Sequence, residues 1–408
     1  MFQNSKIFSN WAQLIFLLHV AKTGSKVLHR VVKQLSMIKV CYFSSKSASD
    51  IRVFEKECTS LVKAGYEVYL ITPNAKDEIL NGVHIIGVPY NKKGNLNRLL
   101  LLPKLLYREA LKVNAEIYHF NDPASLPYGS RLKRKGKKVV YDSFEDHPTL
   151  IFEHKSLPYI LKYFISKVYS LYEYYQCKKF DGLIFCYHWT KERLNKACKN
   201  NQLIFNFPIL SAKVVNVIDF PYPSICYAGL ITSMWEIENI IAALAQVENI
   251  TFNLAGHGNQ SYINALKSKE GWQKVNYLGQ IKHEDVYDQV YSKSFIGLAL
   301  LDYIPLCKGQ VGNLSNNKLF EYMMAGLPVI CTDFILWKEI VEKKSCGICV
   351  NPRNVSEIVN AIKYLRDNPE IAKQMGNIGH KLVEEKYNWK FEEKKLIDIY
   401  KSIMTSRN

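Results

Sequence analysis

The residues best suited to chemistry are gathered in the run Ser315-Asn-Asn-Lys-Leu-Phe-Glu-Tyr-Met-Met-Ala-Gly-Leu-Pro-Val-Ile330. It reads as a polar loop, a short helix, a glycine stop and a buried strand. Ser315, Asn316 and Asn317 are residue types that cap a helix start. The free N–H groups and positive dipole end of such a start suit a diphosphate. Lys318 and Glu321 are three residues apart and therefore share a face. A lysine there can neutralise phosphate, and a carboxylate can accept hydrogen bonds from two ribose hydroxyls. The same spacing also fits an ordinary surface Lys–Glu pair.

Other candidates lie where strands end. Asn121 and Asp122 follow the strand Ile117–Phe120, and Asp142, Glu145 and Asp146 follow or close the strand Lys137–Asp142. Ligands of open α/β sheets bind beyond the carboxyl ends of the strands. Asn121 and Asp122 are accordingly catalytic candidates. The three carboxylates are candidates for an acceptor-side base or positioning group, with a plain loop carboxylate as the competing role for each. His119, inside the strand, is either a catalytic histidine or a satisfied core residue. Gly256 and Gly258 in Leu254-Ala-Gly-His-Gly258, and Gly229 after an earlier strand, form tight turns that let backbone approach a nucleotide. No Asp-x-Asp motif asks for a metal. Cys346 and Cys349 lack the second pair or histidine cluster of a zinc site, so no metal and no cofactor is expected.

These residues need a scaffold, and the chain supplies one twice over. From Ile38 strands and helices alternate: strands at 38–43, 67–72, 83–88, 117–120, 137–142 and 182–186, with helices at 53–64, 97–113 and 157–180. A second alternating series runs from Ser224, with strands at 224–228, 250–255, 275–278, 296–300 and 329–332 and helices between and after them. Alternation of this kind implies βαβ units and parallel sheets. The expected organisation is an appendage 1–36, a first Rossmann-like domain 37–205, a proline-containing linker 206–223, a second Rossmann-like domain 224–388, and a C-terminal helix 389–408 able to pack back on the first. A cleft between two doubly wound sheets is the default active site.

The 408 residues carry a net charge of +17, and the excess is one-sided. Residues 1–220 hold 33 Lys and Arg against 17 Asp and Glu, whereas the remainder holds 21 against 20. Six of the charges fall in Arg131–Lys138. Such a surface attracts nucleic acid or anionic lipid, or is simply a solvated basic face. No nucleic-acid-binding motif accompanies it, so an anionic membrane surface is the expected partner. No apolar run reaches the ~20 residues of a membrane span. Leu14–Leu18 lacks a convincing cleavage site for a secretory signal. Scattered cysteines point to a cytoplasmic location. Residues 1–36 read as a basic amphipathic helix on a membrane, as an ordinary surface helix, or as an extension upstream of Met37.

The 315–333 segment resembles the nucleotide-sugar-binding element of GT-B glycosyltransferases of family 4, and the likeness extends over about residues 38–400. Glu321 matches the second glutamate of that family's Glu-x7-Glu signature, which holds the ribose, and Gly326-Leu-Pro-Val329 matches its turn. Further matching pieces are Tyr277-Leu-Gly-Gln280, Cys346–Val350, Asp50-Ile-Arg-Val53, Tyr118–Pro123 and Tyr141–Asp146. The resemblance implies a GT-B fold and a donor site comprising Glu321, Lys318, Asn316, Ser315, Asn313, Gly229, Gly256 and Gly258. On the first domain it implies acceptor-side residues Arg52, Asp142, Glu145 and Asp146. It also implies transfer of a hexose-type sugar from a UDP- or GDP-linked donor to a saccharide or lipid-linked acceptor, with retention, in surface-polysaccharide or lipopolysaccharide assembly. Three positions depart from the pattern. Asn313 stands where the first glutamate is expected, and Leu230 and Trp235 stand where the family has an arginine and a lysine on the diphosphate. Two alternatives follow: a catalytically degenerate GT-B protein acting as a binding partner, or a nucleotide-sugar epimerase.

Overall fold

The computed structural model describes residues 37–92, 94–153, 157–215 and 223–405. The appendage expected over 1–36 lies outside them.

The first domain begins with β1 (Lys39–Phe43). Next comes the helix α1, wound in the wide π form over Ile51–Cys58 and continued as an α-helix over Thr59–Lys63. Then follow β2 (Glu67–Pro73), β3 (Glu78–Leu80), β4 (Val83–Val88), α2 (Asn95–Val113), β5 (Ile117–Phe120), α3 (Leu126–Arg134), β6 (Lys138–Ser143), the short α4 (His147–Leu150), α5 (Tyr159–Cys177), β7 (Gly182–Phe185), α6 (His188–Leu194) and β8 (Asn201–Leu203). The sheet order is β3-β4-β2-β1-β5-β6-β7-β8, and all pairs are parallel except β3 with β4. Central strands of a parallel sheet are covered on both faces, which is why they read as unbroken apolar runs. Val40, Cys41, Tyr42 and Phe43 of β1 are fully buried and point alternately into two separate cores.

The second domain contains β9 (Ser224–Ala228), α7 (Ile237–Ala245), β10 (Thr251–Ala255), α8 (Gln260–Lys267), β11 (Val275–Gly279), α9 (His283–Gln289), β12 (Ile296–Ala299), α10 (Asn317–Met324), β13 (Val329–Thr332), α11 (Ile335–Val341), β14 (Gly347–Val350), α12 (Val355–Asp367) and α13 (Pro369–Glu385). Its strands lie in the order β11-β10-β9-β12-β13-β14, all parallel. The two sheets are the doubly wound, Rossmann-like units that the alternation predicted.

The last helix, α14 (Trp389–Thr405), crosses back to the first domain. Leu396, Ile399, Tyr400 and Ile403 recur at helical spacing and complete one of that domain's cores. The switch points of the two sheets, between β1 and β5 and between β9 and β12, leave strand ends on which ligand-binding loops can sit.

Candidate functional site

Glu321 projects from the middle of α10. Asn316 caps that helix by accepting from the Lys318 N–H (3.1 Å), and Gly326, at φ 78°, closes it in the left-handed conformation. This short, doubly stopped helix fixes the direction of the carboxylate. Glu321 accepts from the Tyr291 hydroxyl at 3.0 Å and stands 3.3 Å from Nε2 of His283. Burial pushes its pKa up, but the hydrogen bond and charge of His283, the Lys56 ammonium and Tyr291 outweigh that and hold it at about 2. In return, the Glu321 hydrogen bond raises His283 above its usual value against the effect of burial.

Two cavities meet at this carboxylate. One, of about 210 Å³, is lined by Gly229, Leu230, Gly256, His257, His283 and Glu321. The other, of about 190 Å³, lies between the domains, with Glu55 and Lys56 on the first-domain side and His283, Tyr291 and Glu321 on the second. Glu321 and His283 therefore form the shared wall of one groove. Lys56 comes from α1. Its ammonium donates to the Asn206 side-chain oxygen at 2.7 Å and to the Asn206 carbonyl at 3.1 Å, and burial lowers its pKa to about 7.

Lys318 lies elsewhere. Its ammonium sits 4.2 Å over the Trp235 ring and 5.5 Å from that of Tyr227. It passes so close to Gly229 that a Cβ there would meet Lys318 Cε at 2.3 Å. Burial lowers its pKa to about 8. Trp235, at the position where the resemblance leads one to expect a cation, thus holds a cation supplied by α10, and Lys318 lines neither cavity.

Several sequence-based assignments need correction. Asn313 is buried; it accepts from the Ser315 N–H at 3.1 Å, and its amide contacts Cys307 Sγ at 3.3 Å. It shapes the loop and does not face the groove. Ser315 donates to the Cys186 carbonyl at 2.6 Å and so links the two domains. The Asn316 side chain is committed to its capping bond. Gly229 and Gly256 have φ of 148° and 142°, but a Cβ on Gly256 would fall 1.7 Å from the Gly229 carbonyl, and one on Gly258 would fall 2.2 Å from the Ile231 carbonyl. These glycines bring backbone against backbone first; Gly229 and Gly256 also form part of the smooth cavity wall.

The first-domain candidates divide sharply. His119 is fully buried, with Nδ1 2.8 Å from the Tyr400 hydroxyl and its ring against Tyr42. Burial depresses its pKa well below normal, so it is a neutral core histidine and not a catalytic one. Arg52 and Asp142 are also buried. Arg52 Nε lies 3.0 Å from both Asp142 and Glu57, and burial pushes the Glu57 carboxyl well up. Glu57, His119 and Asp142 stand close enough to ligate a metal, yet the Arg52 guanidinium already supplies the positive charge between the carboxylates. Neither Arg52 nor Asp142 can touch an acceptor from there. Asp146 is held by Thr149, by Thr190 (3.0 Å) and by Arg193 (3.3 Å). Asn121 accepts from Ser44 (2.8 Å), and Asp122 accepts from both the N–H and the hydroxyl of Ser45 (2.6 Å each). These last two tie the loops after β1 and β5 together at the switch point and are positioning residues. Glu145, half-buried, has a carboxylate without a hydrogen-bond partner among the described residues.

Sequence reasoning missed Lys56, His283 and Tyr291. His283 opens the helix after β11, a place the strand-end rule does mark. Lys56 lies mid-helix and Tyr291 opens a short 3-10 turn after α9, where no sequence signal distinguishes them.

Comparisons with known proteins bear on the two-domain fold that carries this site. Residues 52–204 match the family "Glycosyltransferase Family 4" and residues 223–368 match "Glycosyl transferases group 1". The alpha-D-kanosaminyltransferase of Streptomyces kanamyceticus is 25% identical over 187 residues, which is 44% of this chain and 46% of that protein. The match thus spans about half the length of such curated relatives. Among solved structures, sucrose-phosphate synthase from Thermosynechococcus elongatus superimposes with a TM-score of 0.71 at 17% identity, covering 91% of this chain and all of that one. Anabaena HepE in complex with UDP-glucose gives 0.66 at 14% identity, covering 90% of this chain and all of that one. With residues 52–204 and 223–368 each matched by a glycosyltransferase domain family and the two sheets arranged as found, the chain carries the two domains of a GT-B glycosyltransferase.

Proposed function

We propose that the chain transfers a hexose-type sugar from a nucleotide-sugar, UDP- or GDP-linked, to a saccharide or lipid-linked acceptor at a membrane face, with retention at the anomeric carbon. The observation that carries this reading is the Glu321 carboxylate, held ionised at the meeting of two cavities, one of them walled by both domains. An ionised carboxylate with free lone pairs accepts from vicinal ribose hydroxyls. Lys56 and His283 bring positive charge to the same wall, where a departing diphosphate needs it. The Anabaena relative with UDP-glucose supports a UDP donor. The acceptor then belongs on the first-domain side of the groove, which opens onto a wider recess lined by Ser49, Glu55, Thr59, Lys63 and Glu284. The basic first half of the chain favours a site of action at the inner, anionic face of a membrane, and ten unpaired cysteines fit a reducing compartment.

The test is a donor screen reading nucleoside diphosphate release, with Glu321→Ala as control. The expected loss is at least tenfold, about 1.4 kcal/mol; an unchanged rate would overturn the site. A second reading has its own support. Leu230 and Trp235 stand where the resemblance places a pair of diphosphate cations, and the Lys318 ammonium is engaged on the Trp235 ring. A degenerate, donor-binding protein would bind UDP in a calorimeter yet release none from any UDP-sugar.

A further inference from the structure

We propose that the outer face of α5 is a bilayer-docking surface that inserts shallowly into an anionic membrane. The proposal deepens the acceptor side of the function above, since it specifies which part of the first domain meets the lipid.

α5 is amphipathic in the wrong sense for a free surface helix. Its inner face packs Ser166, Glu173 and Cys177 against the domain. Its outer face presents Ile160, Phe164, Val168, Leu171 and Tyr175, which are 83%, 65%, 50%, 59% and 61% exposed. Spacings of three and four residues place these five in one stripe, about 22 Å long at 1.5 Å per residue. Soluble monomers rarely leave a continuous apolar stripe of this length in water. No helix among the described residues is long and apolar enough to cross a membrane, so α5 would lie along the interface, as helices of this kind do.

Charge identifies what covers the stripe. Lys167 is exposed on α5 itself, and Lys178 and Lys179 are exposed just past its C-terminal end. Beside its C-terminal end a recess of about 620 Å³ is lined by Arg131, Lys133 and Arg134 of α3 together with Gln176 and Lys179. Lys133 is neutralised by Asp181 at 2.7 Å. Arg131, Arg134 and Lys179 have no acidic partner among the described residues. Apolar side chains rimmed by free cations fit acyl chains beneath phosphate headgroups. They do not fit a second copy of the same face, whose cations would oppose these. Residues 1–36 are no better as a cover, because they hold five basic residues and no acidic one.

The position is also consistent with the proposed reaction. α5 packs on α4, with Ser166 donating to the Pro148 carbonyl at 2.9 Å. α4 in turn touches the second-domain turn Pro305–Cys307. The docking face is thus one short helix away from the contact between the domains, within reach of an acceptor carried on a lipid.

Flotation of the full chain with phosphatidylcholine vesicles, with and without phosphatidylglycerol, tests this directly. The chain should bind the anionic vesicles about tenfold more tightly than the neutral ones. Phe164→Glu with Leu171→Glu should cut binding to both at least tenfold. Arg131→Glu with Arg134→Glu should abolish the anionic preference; all four positions are exposed, so each double variant should melt as the unaltered chain does. Full vesicle binding by either variant overturns the proposal, as does failure of the unaltered chain to bind. A dimer that Phe164→Glu with Leu171→Glu dissociates, without any effect of lipid, would make the stripe a protein interface instead. UDP affinity measured on the same variants should stay unchanged, so loss of lipid binding and loss of the donor site are read separately.

Discussion

At the scale of single residues, the site is defined by charges that tertiary structure brings together and the sequence keeps far apart. Lys56 is the sharpest case. It is 1% exposed, and its ammonium titrates near 7, whereas an unfolded lysine titrates near 10.5. A lysine with a lowered folded pKa destabilises the fold: the penalty is complete below about pH 7 and fades as pH rises towards 10.5. Lys56→Met should therefore stabilise the protein at pH 6, by on the order of 2 kcal/mol, with the gain shrinking at pH 9. Denaturant midpoints at the two pH values check this. The same variant should weaken donor binding, because Glu321 loses a neighbouring cation. The helix that carries Glu321 was legible, since cap residues precede it and Gly326-Leu-Pro-Val329 stops it. His119, Arg52 and Asp142 were misread for one physical reason. A charged residue at a strand end or on the first helix looks the same in sequence whether it faces a cleft or a core. Only the packing of Tyr400 from the far end of the chain, and the pairing of Arg52 with two buried carboxylates, decides it.

At the scale of elements, strands buried on both faces announce themselves, and those on the margins do not. β1, β5 and β12 are short apolar runs and were placed within a residue or two. β3 and β8, Glu78–Leu80 and Asn201–Leu203, are edge strands of three residues with polar content and no periodicity to read. α11 was overlooked because Trp337, Ile340 and Val341 continue the apolar character of the preceding strand. The glycine turns show the opposite limit: their presence was legible but their partner was not. Gly256 sits at φ 142° with the Gly229 carbonyl where a Cβ would be, and a shift of the Gly229 loop would distort the cavity wall. Gly256→Ala should therefore cost about 2–3 kcal/mol and should weaken UDP binding as well. Urea denaturation gives the first effect and calorimetric titration the second. An alanine variant as stable as the parent would mean that the turn adapts at no cost.

At the scale of the whole molecule, the two domains are coupled by a small set of contacts, and α14 carries the strongest. Trp389 donates through its backbone N–H to the Pro208 carbonyl in the linker (2.8 Å) and through its indole to Ser60 on α1 (3.0 Å). Its ring lies 5.8 Å from the Lys56 ammonium. One turn on, Glu392 accepts from the Phe205 N–H at 2.9 Å and pairs with Lys395 at 2.8 Å. The end of the second domain, the linker and the helix bearing Lys56 thus converge on one side chain. Other bridges are the contact of α4 with the turn Pro305–Cys307, the Ser315 hydroxyl on the Cys186 carbonyl, and Lys308 5.7 Å from the Trp189 ring. Replacing a buried tryptophan by alanine costs about 3–5 kcal/mol, and here the loss falls on the joint between domains. Two domains unfold as one only while the coupling between them is comparable to their individual stabilities. Trp389→Ala should consequently split a single calorimetric transition into two, with the first-domain transition moved to lower temperature because its core has lost the start of α14. Addition of UDP should raise only the second-domain transition, since a ligand stabilises the unit that binds it. If the variant still melted in one step, Trp389 would be a core residue of one domain and the joint would lie elsewhere.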